Sequence, residues 1–378
     1  MIAYLAGWAR KKDSLFASVA EAAGGGVRLP LIGLSLRGFP ESGARTRAAL
    51  AVAKRQPKGR LGRWLKFALI WMQYNWSRRY FARHPGWVAM CWNGLTGSRR
   101  AFMEGARDAG APRLFAELAP FPGRVTLDPE GVNAANSVPR EAQFFRDWAA
   151  GAPERQGEGW RSLGANLTAR ASRRADVGQS GAEALSGAGP FLFVPLQVPN
   201  DSQITLFAGW VGSVEGMLAA LAEASRALPQ GWHIRIKEHP SARASLAEPL
   251  EAAVSRAGGR LVVDNRTDTF EQVKASGGVI TINSSVGLQA FFHDKPVIVL
   301  GAAYFAIEGL VHVADGQASL AALLKAPERL AFDPALRAAF MNFLDQVYYP
   351  RATTDAEGNV TVSPEDARAR LAAASSGK

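Results

Sequence analysis

At 378 residues with 48% hydrophobic content, the chain is long for one domain and natural for two, each with its own core. A single cysteine, Cys91, excludes an internal disulfide framework and any cysteine-rich zinc site, and fits a reducing compartment. The net charge is +11, no apolar run is long enough to span a bilayer, and the N-terminal apolar run is too short for a signal peptide, so a cytoplasmic location is expected.

In chain order, the first half predicts strands near 3–5, 27–34, 87–92 and 113–118, with helices near 13–23, 42–54, 62–82, 97–109 and 139–150. These suggest an α/β domain over residues 1–150. Within it, 54–84 carries nine Lys or Arg and no acid, interleaved with large apolar residues such as Leu61, Trp64, Trp71 and Trp76. That combination suits an interfacial helix on an anionic bilayer. It also suits nucleic acid, or a solvated basic face, but no nucleic-acid fold motif accompanies it. Residues 151–187 are rich in Gly, Ala, Ser and Arg with little apolar periodicity, and read as a linker or mobile loop.

The second half alternates more regularly. Strands are predicted at 191–198, 233–236, 261–263, 279–282, 297–300 and 311–313, separated by helices near 212–228, 242–257, 268–276, 285–293 and 317–326. Such alternation implies a parallel sheet covered on both faces, over a domain at 188–330, followed by a helical segment and tail at 331–378 that frays from Ser375. Two α/β domains around a cleft, with the nucleotide on the second, is the GT-B plan of two Rossmann-like domains.

Polar residues gather just past the predicted strand ends, where α/β sheets bind ligands. Gln197, Asp201 and Ser202 share one loop; Asp201 reads as a nucleophile or base, or as the cap of the next turn. Lys237, His239 and Pro240 end another strand, where a neutral imidazole can donate to a phosphate. Asn283, Ser284 and Ser285 open a helix, and free N–H groups with the helix dipole favour an anion there. His233, His293 and His312 lack such a context and read as structural. In the first half Glu117 ends a strand and offers a second carboxylate, as retaining glycosyl transfer requires; Asp128 and Glu130 compete with it for the acid role. There is no Asp-x-Asp, GxGxxG, Walker A or HExxH motif, so no metal site is expected, and phosphate neutralisation falls to Lys, Arg, His and helix dipoles.

Four segments together resemble one family. VPLQVPNDSQI (194–204), IKEHP (236–240), TINSSVGLQAFFHDKPVIVLG (281–301) and LDPEGVNAANSVP (127–139) are similar to the capsule polysaccharide β-Kdo transferases, the KpsS/KpsC group. The resemblance covers about half the chain and implies a GT-B fold, CMP-Kdo as donor and retention of configuration to give β-Kdo; from the missing motifs, no metal or other cofactor is expected. It implies Asp201 as nucleophile and Glu117 as acid, with His239, Ser284 and Ser285 holding the donor. One position departs: the family usually has Gly two residues after the matching Glu, where this chain has Ala119. With room for one transferase module, the chain looks most like the single-module initiating type, which implies a (lyso)phosphatidylglycerol-type or Kdo-primed acceptor. Expected partners are therefore CMP-Kdo, an anionic lipid, the inner face of the inner membrane through 54–84, and other capsule synthesis and export proteins, without nucleic acid. A CDP-polyol phosphotransferase and a non-catalytic membrane adaptor are the competing readings.

Overall fold

Strand β1 (Ile2–Leu5) shows why the first unit folds as it does. Ile2 and Tyr4 join Leu15, Phe16 and Val19 on one face, while Ala3 and Leu5 join Phe81, Phe102 and Met103 on the other. Side chains alternate along a strand, so a fully apolar strand needs cover on both sides. The computed structural model describes residues 1–7, 9–169 and 172–376. They form two α/β units, Met1–Val138 with Leu344–Lys378, and Pro139–Phe343. Each unit is a Rossmann-like α/β fold, as the sequence leads one to expect.

The first unit runs β1, α1 (Arg10–Ala22), β2 (Gly26–Leu29), α2 (Ser42–Ala51), α3 (Gly59–Arg83), β3 (Val88–Trp92), α4 (Gly97–Asp108), β4 (Arg113–Leu118) and β5 (Val125–Asp128). Sheet order is β2-β1-β3-β4-β5, parallel except for β5. The strand expected over 27–34 stops at Leu29, before Pro30, which has no N–H for a ladder. Residues 31–38 form a loop along α3 instead, with Gly33 against the Trp76 ring. Strand β5 had no separate signal in the sequence.

The second unit opens with α5 (Ala142–Ala150), then β6 (Phe191–Pro195), α6 (Ser202–Phe207), α7 (Val214–Ala224), β7 (His233–Lys237), α8 (Ala247–Arg256) and β8 (Leu261–Val263). It continues through α9 (Thr269–Ala275), β9 (Gly278–Thr281), α10 (Ser285–Gln289), β10 (Val297–Val299), β11 (His312–Val313), α11 (Gln317–Leu324) and α12 (Pro334–Phe343). Six parallel strands lie in the order β11-β10-β9-β6-β7-β8. Leu192, Val194, Ile234, Ile236, Ile280 and Ile298 pack there with Val214, Met217 and Leu221.

Three boundaries differ from the sequence reading. Helix α5 belongs to the second unit because Phe145 packs on Phe340 and Phe343 of α12, with ring centroids 5.0 and 5.4 Å apart. Residues 151–187 pack on the same unit: Trp160 is buried beside Phe292, and Asn342 donates to the carbonyls of Arg155 and Gly157. Arg170 and Ala171 of that stretch, and residues 377–378 of the tail, lie outside the described residues. After α12 the chain returns to the first unit through a π-helical turn (Leu344–Tyr348), a hairpin β12 (Ala352–Thr354)–β13 (Val360–Val362), and α13 (Pro364–Ser376). The hairpin is tied to α1, as the N–H groups of Val360 and Val362 donate to Ser14 and Ser18 at 2.8 and 2.7 Å.

Candidate functional site

Because β9, β6 and β7 are neighbours in a parallel sheet, the loops that leave them emerge side by side at its carboxyl edge. These loops carry Gln197, Asp201 and Ser202 after β6, His239 and Pro240 after β7, and Asn283–Ser285 after β9. The topology thus brings together three groups that are far apart in sequence, at the usual ligand edge of an α/β sheet.

Two of the loops are clamped to each other. Gln197 Nε2 donates to Asn283 Oδ1 at 2.8 Å, and the Asn283 N–H donates back to Gln197 Oε1 at 3.2 Å. Asn283 Nδ2 then donates to the carbonyls of Gln203 and Phe207, both at 3.0 Å, which fixes α6 against β9. Gln197 and Asn283 therefore bond to each other, and Asn283 also to α6, which gives both a positioning role at the site.

Asp201 is the N-cap of α6: its Oδ1 accepts from the Gln203 N–H at 2.9 Å and from the Ser202 hydroxyl at 3.4 Å. Ser284 caps α10 by accepting from the Val286 N–H at 3.2 Å, and Ser285 is the first residue of that helix. The helix expected over 285–293 is shorter than its pattern: α10 ends at Gln289 and a 3₁₀ turn, Ala290–His293, completes it. The ring nitrogen Nδ1 of His239 accepts from the Ser241 N–H at 3.0 Å, so the neutral imidazole carries its proton on Nε2 and is a donor there.

Lys237 departs from its expected role. Its ammonium is buried and donates to the carbonyls of Gly178, Asn265 and Thr267 at 2.7, 3.1 and 2.6 Å. An ammonium has three donors, so none remains for a donor phosphate. Burial also draws its pKa down, against the pull of Asp264 and Asp268. Lys237 instead straps 172–180, part of the stretch read as a linker, across the ends of β7 and β8. The strap is further pinned where the N–H groups of Gly178 and Ser180 donate to Asn265 and Arg266, both at 2.8 Å, and where Arg174 pairs with buried Glu238. Burial pushes the Glu238 carboxyl up, but hydrogen bonds from Arg174, Leu246 and Asn265 outweigh it and hold it below the usual range. The same strap delivers a cation that sequence reasoning missed. The Arg173 N–H donates to the Pro240 carbonyl at 2.8 Å, so the backbone of this exposed residue runs beside the His239-Pro240 loop. With no periodicity in 172–180, nothing in the sequence tied Arg173 to His239-Pro240.

In the first unit, Glu117 ends β4 and accepts from Asn93 Nδ2 at 3.1 Å. Asn93 follows β3 in the left-handed region, φ 63°, which Asn tolerates better than most residues. Lys12 lies over the Trp92 ring at 4.5 Å, and Glu117 raises its pKa against the stronger lowering by burial and Arg99. Asp128 has a different task. It is fully buried and accepts from the N–H groups of Glu130, Gly131 and Ser137, the Ser137 hydroxyl and the Tyr348 hydroxyl, all within 2.7–2.9 Å. A carboxylate so fully bonded organises its turn, which removes Asp128 from contention as the acid; Glu130 is exposed on that turn. His233 leans on Phe191 with centroids 5.5 Å apart, and His312 accepts from the Ala331 N–H, both structural contacts. Among the described residues, no group of three or more His, Cys, Asp or Glu is arranged to hold a metal ion.

Comparison with known proteins shows what the site resembles. Residues 163–349 match the family described as capsule polysaccharide biosynthesis protein. Protein FixF of Sinorhizobium fredii is 31% identical over 281 residues, 73% of this chain and 61% of FixF, so this chain spans about three fifths of that relative. The capsule polysaccharide export protein KpsS of Escherichia coli is 32% identical over 121 residues, 31% of each chain. Among solved structures, the β-Kdo 2,7-transferase of Thermosulfurimonas dismutans KpsC aligns with a TM-score of 0.46 and 14% identity over 79% of this chain and 88% of that one. Residues 163–349, which contain all three converging loops, are the part of this chain that is similar to the capsule polysaccharide biosynthesis protein family.

Proposed function

We propose that this protein is a retaining glycosyltransferase that moves Kdo from CMP-Kdo to a (lyso)phosphatidylglycerol-type lipid or a Kdo-primed acceptor in capsule polysaccharide biosynthesis. The observation that carries this reading is the convergence of the β6, β7 and β9 loops on one sheet edge, with the Gln197–Asn283 clamp setting their spacing. On that edge His239 Nε2–H, the Ser285 hydroxyl and the guanidinium of Arg173 hold the donor phosphate. Ser202 and Ser284 shape the first turns of α6 and α10. Asp201 attacks the anomeric carbon as the bond to CMP breaks, which gives a covalent glycosyl-enzyme; the acceptor hydroxyl then displaces Asp201, with Glu117 as the acid–base partner. Two inversions give net retention. The chemistry needs no metal, because cationic side chains neutralise the phosphate.

Mass spectrometry tests this directly. The purified protein with CMP-Kdo and a short-chain phosphatidylglycerol, or a Kdo-primed acceptor, is expected to add one Kdo mass to the acceptor and release CMP, equally with EDTA present. Turnover of CDP-glycerol with none of CMP-Kdo would overturn the donor assignment, and loss of turnover in EDTA would overturn metal independence.

A further inference from the structure

Helix α3 is packed along one half of its length only. From Ile70 to Phe81 its residues include Gln73, Tyr74, Asn75 and Ser77, all buried, whereas its first turns are not covered. Leu61, Trp64 and Leu65 are 70%, 63% and 54% exposed. The loop 31–38 exposes two more large apolar side chains, Leu34 at 62% and Leu36 at 84%. Five such residues in one unit are more than scattered surface apolar side chains explain.

They share one side of the unit. A helix repeats every 3.6 residues, so Leu61, Leu65, Met72, Trp76 and Arg79 fall on one stripe of α3, with Trp64 at its margin. The loop lies on that stripe: a Cβ at Gly33 would enter the Trp76 ring, the Gly33 N–H donates to Gln73 Oε1 at 2.7 Å, and Arg79 donates to the Arg37 carbonyl at 3.2 Å. Leu34 and Leu36 therefore stand on the same side as the uncovered first turns of α3. Exposed cations accompany both: Arg37 on the loop and Lys58 at the N-cap of the helix, while Arg60 and Arg63 fall on other sides of the helix by the same repeat. Three other cations of the segment are occupied: Arg78 pairs with Glu41, Arg79 donates to the Arg37 carbonyl, and Lys66 donates to the Arg55 carbonyl. Among the described residues, no helix is long and apolar enough to cross a membrane.

We infer that the loop 31–38 and the first turns of α3 form an insertion wedge for an anionic lipid surface, with Leu34, Leu36, Leu61, Trp64 and Leu65 entering the headgroup boundary and Arg37 and Lys58 meeting lipid phosphates. Charge complementarity selects this occupant: 54–84 holds nine cations and no acid, and exposed Trp and Leu side chains in so basic a segment suit an anionic interface. The inference stands on the wedge alone and does not depend on the transferase reading.

Vesicle co-sedimentation of the full chain tests it, with CMP binding and circular dichroism as controls for folding. Wild type is expected to bind phosphatidylglycerol vesicles well and phosphatidylcholine vesicles weakly. Leu34→Ser with Leu36→Ser, and Trp64→Ser with Leu65→Ser, are each expected to lower partitioning about tenfold or more, as loss of two inserted apolar side chains requires. Arg37→Gln with Lys58→Gln is expected to remove most of the preference for anionic lipid. Brominated lipid is expected to quench wild-type fluorescence more than that of Trp64→Phe. Vesicle binding that survives both serine pairs, or no vesicle binding by wild type, overturns the wedge. A dimer in sedimentation that both serine pairs dissolve also overturns it, by assigning the surface to a second copy.

Discussion

At Asp201 one carboxylate is asked to cap α6 and, in the proposed reaction, to attack the donor. Asparagine caps as well as aspartate, since its side-chain oxygen accepts from the Gln203 N–H in the same way. Asp201→Asn is therefore expected to keep its thermal midpoint and its CMP affinity while losing turnover by about a thousandfold or more, as removal of a nucleophile does. Asp201→Ala adds the loss of the cap, about 1 kcal/mol of stability. Near-normal turnover of Asp201→Asn would leave Asp201 a helix cap and nothing more. The two cations beside the site separate in the same manner. Lys237→Met leaves three buried carbonyls without their donor and is expected to cost about 3 kcal/mol or more in denaturant unfolding. Arg173→Gln touches no buried group; it is expected to weaken CMP about tenfold and to leave cytidine, which has no phosphate, unchanged in calorimetry. Equal losses for CMP and cytidine would show that Arg173 acts on structure rather than on phosphate.

Strands β6, β7 and β9 were legible in the sequence because each is a short apolar run bounded by turn residues, and the residues at their ends were legible as site candidates for the same reason. Their roles were not, since nothing local shows that Lys237 is sealed under three carbonyls or that Gln197 and Asn283 bond to each other. Apolar alternation misled at 27–34, where Leu34 serves an exposed loop and not a ladder. The 172–180 strap left no periodic trace because side-chain and backbone bonds to other elements hold it. Its anchors give that strap a pH dependence. Burial pushes the Asp264 carboxyl up, but hydrogen bonds from Thr267 and Arg235 bring it down to about 2. Glu238 is depressed alongside it. A carboxyl depressed by folding binds fewer protons in the native state than in the unfolded one, so its contribution is present above the ordinary carboxylate pKa and is lost as pH falls through the native value. For Asp264, a fall from the ordinary 3.8 to about 2 corresponds to about 2 kcal/mol. Unfolding free energy is expected to drop between about pH 5 and pH 1, and Asp264→Asn to flatten that limb while lowering stability at neutral pH. Parallel acid limbs for variant and wild type would mean that the Arg235–Asp264 pair contributes no linkage.

Across the whole molecule the chain completes its first unit only at its far end. Residues Leu344–Lys378 return after the second unit has been built, and they bring what the earlier segments lack. Val360, Val362 and Ala367 fill the face of the first sheet beside Ile2, Tyr4, Phe16 and Val19. Tyr348 donates to buried Asp128 at 2.9 Å, and Arg370 donates to the Leu127 carbonyl at 2.8 Å. Each fully buried valine stabilises by about 1.5–3 kcal/mol, and an orphaned buried carboxylate partner costs about as much again. Domains have only about 5–15 kcal/mol in hand, so the first unit should not survive the loss of this segment. The second unit, with all of its sheet and the three converging loops within Pro139–Phe343, has no such dependence. A chain ending at Phe343 is therefore expected to keep CMP binding within about threefold while its first unit melts, which would appear as lost near-ultraviolet signal from Trp92, increased dye binding by exposed apolar surface, and rapid proteolysis confined to residues before 139. Asp128→Asn in the full chain should move the same unit in the same direction by a smaller amount, because the Tyr348 hydroxyl and three backbone N–H groups lose their charged acceptor. If the shortened chain instead melts in one step that takes CMP binding with it, the two units fold as one cooperative body and the donor site depends on both.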